Sequence, residues 1–142
     1  MTAKEYLKQA YSIDQRINAK IEQIISLREL TMKASATLSD MPKGSRDAHS
    51  KENIIAKMVD LENELNTDID ELVTLKQEIL SVIKSVDRAD YQTLLEMRYL
   101  CFKSWEQIAV ELGYSLHHLY KVHNAALQAC GETIKMIPKG IE

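Results

Sequence analysis

The chain has 142 residues, of which 45% are apolar and 27% charged, with a net charge of -3. This length suits one domain or two small units, and the apolar share excludes a structureless polymer. A near-neutral, slightly acidic balance also excludes a grip on nucleic acid through bulk positive charge, so any DNA contact has to be local.

No apolar run approaches the roughly 18 residues that a membrane helix needs, and the opening MTAKEYLKQAYSIDQ lacks the apolar core of a secretory signal. The expectation is a cytoplasmic protein with no membrane partner. Four glycines, two prolines and one phenylalanine leave few turns and little of the enrichment that sheets prefer, so the expected fold class is all-α. Cys101 and Cys130 have no CxxC companion and are expected to be ordinary buried thiols. No cofactor is implied.

Residues 1–50 carry eight Lys/Arg against six Asp/Glu, and residues 51–86 carry four against eight, so these two segments differ in sign. From Tyr6 apolar residues recur in steps of four and three, through Ala10, Ile13, Ile17, Lys20, Ile24, Leu27, Thr31, Ala34 and Leu38. A second series runs Ile54, Met58, Leu61, Leu65, Asp68, Leu72, Leu75, Ile79, Val82, Val86. Both are heptad seams of long helices. Between them Met41 to Asn53 gathers Pro42, Gly44, Ser45 and several charges, the chemistry of a loop and a helix start.

If the chain folds back there, facing residue numbers add to 88 for Leu27 with Leu61 and also for Lys20 with Asp68. The two polar breaks then meet, either pairing to fix the register or each reaching to water while Ile21 and Ile69 fill the seam. Residues 1–86 are thus expected to form an antiparallel helical hairpin for dimerisation or partner docking. Ile25, Ile55 and Ile83 lie beside the seam and leave apolar surface that a homodimer would cover.

After Val86, Asp87, Arg88 and Asp90 read as a cap and first turn, and Tyr91 to Leu100 as a shorter helix. The stretch from Ser104 to Ala129 is the most informative. Ser104 and Gln107 form a capping-box pair, Ile108, Ala109 and Leu112 give an apolar face, and Gly113 suits a left-handed stop. Ser115 can cap a second helix whose inward stripe is Leu119, Val122, Ala126 and Leu127. This is a helix-turn-helix pattern, expected over residues 87–130, with 131–142 as a tail. The plain alternative is a pair of core helices without a ligand.

The segment LLEMRYLCFKSWEQIAVELGYSLHHLYKVHNAALQ resembles region 4 of the sigma-70 family. A long helical hairpin ahead of such a module resembles the small ArpU- and RinA-like transcriptional regulators of phage and prophage in Gram-positive bacteria. The resemblance implies sequence-specific binding of double-stranded DNA, with the helix that starts at Ser115 in the major groove. Leu116, His117, His118, Tyr120 and Lys121 would then reach bases or phosphates. Ser104, Trp105 and Gln107, at the preceding helix start, would meet backbone phosphate. One lysine and no arginine on the reading helix leave affinity to be supplied by dimerisation, by Arg98 and Lys103, or by a partner. The alternative is an adaptor or inhibitor that contacts RNA polymerase without reading DNA.

Three histidines, His117, His118 and His123, lack the i, i+4 spacing of a helical metal pair and are expected at the surface, His123 as a neutral side chain. Charging such a cluster near pH 6 would add positive charge toward DNA. Trp105 is expected to be partly buried. The acidic residues of the second long helix, such as Glu62, Glu64, Asp68, Asp70 and Glu71, have no companion nucleophile or glycine-rich loop, so no enzyme is expected.

Overall fold

A computed structural model describes residues 1–38 and 45–135, with side chains over 1–33 and 50–134. The protein is all-α: among the described residues there are five helices and no strand. They are α1 (Ala3–Leu38), α2 (Ser45–Lys84), α3 (Ala89–Tyr99), α4 (Trp105–Leu112) and α5 (Leu116–Lys135). None is long and apolar enough to cross a membrane. Helix α2 begins at Ser45, early in the segment read as a loop and a helix start, because Ser45 to Asn53 contains no further Gly or Pro to stop a helix. The seam positions Ala34 and Leu38 lie outside the described side chains.

The chain divides into two compact units, one of residues 13–71 and one of residues 1–12 with 72–142. This differs from a boundary at residue 86, and the reason lies in the core of the larger unit. Leu7 and Ala10 of α1 and Ile79, Val82 and Ile83 of α2 are buried in one cluster with Leu94, Leu95, Tyr99, Ile108, Leu119, Ala126 and Cys130. The ends of the long helices therefore serve the C-terminal helices' core. Ile83, expected at the surface, is fully buried there.

Within the smaller unit Ile13, Ile17 and Ile24 are buried along the seam of α1, and Leu27, Leu61 and Leu65 are half-buried. Lys20 Nζ donates to Asp68 Oδ2 at 2.5 Å, Arg16 donates to Asp68 and to Glu71, and Thr31 Oγ1 approaches Met58 Sδ at 4.0 Å. As the residue number rises along α1 its partner's number falls along α2, so the two segments run in opposite directions. The polar breaks pair rather than diverge, and Ile21 and Ile69 stay exposed instead of filling the seam. Hydrogen bonding from Lys20 is the main cause that holds the Asp68 carboxyl below its ordinary range.

In the larger unit α3, α4 and α5 pack on one another. Of the residues read as its cap and first turn, Arg88 is the cap of α3, with extended backbone and no side-chain hydrogen bond to that end. Arg88 is drawn instead into a paired contact with Asp90 at 2.8 and 3.1 Å. Gln92 Nε2 donates to Val86 O at 2.6 Å, satisfying a carbonyl just beyond the end of α2. Helix α5 runs on to Lys135, so residues 131–135 extend it rather than begin a tail, and Cys130 lands in the core. Burial pushes the Cys130 thiol up to about 11. Cys101, expected to be buried, is exposed in the turn after α3, because no helix carries it into the core.

Candidate nucleic-acid interface

The start of α4 is held by a reciprocal cap. Ser104 Oγ accepts from the Gln107 N–H at 3.2 Å, while Gln107 Oε1 accepts from the Ser104 N–H at 3.2 Å. The helix stops at Gly113, whose φ of 72° and ψ of 31° are left-handed. The Tyr114 N–H donates to Ala109 O at 2.9 Å and the Gly113 N–H to Val110 O at 3.3 Å, the two bonds of a Schellman motif. Two residues later Ser115 Oγ accepts from the His118 N–H at 3.1 Å and starts α5. One left-handed residue between two side-chain caps therefore fixes where α4 ends and α5 begins.

On α5 the inward side is Leu119, His123, Ala126 and Cys130, all buried, with Val122 and Leu127 half-buried. The other side of its first two turns leaves Leu116, His117, His118, Tyr120 and Lys121 exposed, together with Ser115. Ser104 and Gln107 are exposed too, but their side chains and two of the N–H groups at that helix start are already engaged in the cap. Trp105 is half-buried, as expected of a packing residue. The Arg98 guanidinium lies 4.4 Å from its ring centre, and its ring meets Tyr120 and His123 edge-on at 5.5 and 4.5 Å. Trp105 thus supports Tyr120 from beneath, while His118 packs edge-on against Tyr114 at 4.7 Å.

The two flanking cations are occupied. Lys103 Nζ donates to both carboxylate oxygens of Glu111, at 2.7 and 2.9 Å, and Arg98 donates to Lys103 O at 2.9 Å. Of the cations named for this surface, Lys121 is the exposed one without an ion pair among the described residues.

His123 corrects the sequence expectation of a surface side chain, for it is buried and its Nε2 is joined to the Tyr99 hydroxyl at 2.7 Å. Burial is the main cause that lowers its pKa to about 4, with Lys4 and Arg98 adding to the shift. Burial likewise raises Tyr99 to about 12, so the pair is neutral near pH 7. The signal that finds it is spacing: Leu119, His123, Ala126 and Cys130 follow steps of four, three and four. Among the described residues no group of His, Cys, Asp and Glu is arranged to hold a metal ion.

The chain matches, over residues 31–130, the family described as Protein of unknown function (DUF1492). No curated protein and no solved structure matches it. The match takes in the last residues of α1 and all of α2, α3 and α4, and reaches the buried Cys130 of α5. The chain belongs to the DUF1492 family.

Proposed function

We propose that this protein is a sequence-specific DNA-binding transcriptional regulator of phage or prophage genes, in which α4, the Gly113 turn and α5 act as a sigma region 4-like helix-turn-helix. The antiparallel segments of α1 and α2 serve as its coiled-coil association hairpin. The observation that carries the reading is the division of α5's first two turns. Leu119 and His123 anchor the helix, while Leu116, His117, His118, Tyr120 and Lys121 form one exposed edge. A helix anchored in this way can lie in a major groove, where Lys121 donates to guanine or phosphate, the histidines donate or accept, and Leu116 meets a thymine methyl. Trp105 positions Tyr120 toward a phosphate rather than contacting DNA itself. The phage setting is supported by the sequence resemblance.

The test is a gel-shift assay with DNA from upstream of the neighbouring genes. Lys121→Ala and His117→Ala, at unchanged helicity, are each expected to weaken binding about tenfold, as loss of one good contact does. Unchanged binding in both overturns the reading.

A second reading, an adaptor or inhibitor contacting RNA polymerase, is favoured by the tie of Lys103 to Glu111, which removes a flanking cation. It would show as binding to purified polymerase with no shift of the DNA.

A further inference from the structure

We infer that the smaller unit carries a self-complementary face on which a second copy of this chain docks, forming an antiparallel four-helix bundle. Arg16 and Glu71 each precede a seam position, Ile17 and Leu72, by one residue, and they meet at 3.1 Å. Positions one before the seam on α1 and α2 therefore share one flank, and positions one after it share the other. On the first flank Leu30 is the only large apolar side chain exposed among the described residues, and a groove there is lined by Gln23, Ser26, Lys57, Asp60 and Glu64 over the seam residues Leu27 and Leu61. The second holds Ile21, Ile25, Met32, Ile55, Val59 and Ile69, each between 38% and 68% exposed.

The contacts across the seam set the levels on that second flank. Ile21 and Ile69 follow the bonded Lys20 and Asp68, and Met32 and Val59 follow the touching Thr31 and Met58. Arg28 and Glu62 follow Leu27 and Leu61, whose numbers add to 88 as those of Lys20 and Asp68 do, and stand about 3 Å apart along the helix axis, between those apolar pairs and within reach of their long side chains. Both are exposed, and neither forms an ion pair among the described residues.

A twofold axis parallel to the helices sets α1 of one copy on α2 of the other without changing the level of any residue. Ile21 then faces the second copy's Ile69, Met32 faces its Val59, and Arg28 faces its Glu62. Every apolar residue in these pairs finds an apolar one, and every charge finds its opposite. This charge complementarity is what selects a second copy as the occupant, since the face supplies both members of each pair.

The inference extends the proposed hairpin role by naming its surface, and it is tested on the full chain without DNA, so that its failure and a failure of DNA reading are separate results. Light scattering after size exclusion, at tens of micromolar, is expected to give twice the chain mass of 16.2 kDa. Arg28→Glu and Glu62→Arg are each expected to raise the dissociation constant at least about tenfold, and the two together to restore it. Ile25→Glu with Val59→Glu, at unchanged helicity, is expected to give the single-chain mass, while Lys57→Glu on the polar flank leaves the dimer intact. A wild-type chain that runs at the single mass, a dimer that survives Ile25→Glu with Val59→Glu, or a double charge reversal that fails to restore association overturns the inference.

Discussion

His123 shows how one buried polar side chain links stability to pH. Its folded pKa of about 4 lies below its ordinary value of 6.5, so the unfolded chain binds the proton more readily between those values. The stability this difference represents is fully present above pH 6.5 and is lost as pH falls toward 4. Chemical unfolding is expected to show a loss of roughly 2 kcal/mol across that window, absent in a His123→Gln variant. Two left-handed residues make further tests. Nothing lies within 4 Å of a Cβ added at Gly113, so Gly113→Ala costs backbone strain alone, about 1 kcal/mol in thermal unfolding. Phe102, with φ of 58°, bears the same strain and is held by Tyr11 edge-on at 5.6 Å and by Lys76 at 4.7 Å. Phe102→Gly and Phe102→Ala both lose these contacts, but only glycine relieves the backbone, so the glycine variant is expected to be the more stable by about 1 kcal/mol. Neither Phe102 nor His123 was legible by residue type, since phenylalanine seldom adopts a left-handed backbone and histidine is commonly a surface residue. Ser104, Gln107, Gly113 and Ser115 were legible, because capping is decided by neighbours three to five residues away.

At the scale of elements the heptad rhythm foretold both long helices and the meeting of Lys20 with Asp68, because a period is a property of the whole helix and survives single exceptions. Removing one partner should cost more than removing both. Asp68→Leu leaves the half-buried Lys20 ammonium beside an apolar seam, whereas Lys20→Leu with Asp68→Leu replaces the pair by packing. The urea midpoint is expected to fall in the single variant and to recover in the double. If the pair fixes the register, the recovered double variant should show more than one alignment in cross-linking between α1 and α2. Asp68 also adds an acid dependence. Its lowered pKa means that its contribution is present above pH 3.8 and is lost as pH falls through the lower folded value. Asp87, Arg88 and Asp90 were legible as the cap and first turn of α3 but not which of them takes the cap; Arg88 does, its side chain held by Asp90 two residues on.

For the whole molecule, the periodicity did not reveal that the first turns of α1 and the last turns of α2 belong to a different compact unit from the rest of those helices. A seam looks alike whether its partner is one helix or several. The larger unit's core depends on this sharing. Ile79→Ala, in α2, is expected to lower the stability of the unit containing α3, α4 and α5 by about 2–5 kcal/mol in hydrogen exchange, as for other buried residues of this size. The same loss confined to amides of residues 13–71 would contradict that assignment. The exposed edge of α5 is anchored from that core, and Lys121 is its exposed cation without an ion pair among the described residues.

The most direct test is therefore the salt dependence of DNA affinity in wild type and in Lys121→Ala, followed by fluorescence anisotropy on an upstream DNA fragment. If α5 lies along the duplex, the slope of log affinity against log salt should fall in magnitude by about one for each bound chain when the lysine is removed. An identical slope in the two proteins, or no saturable binding by the wild type, would contradict the proposal that this edge meets DNA.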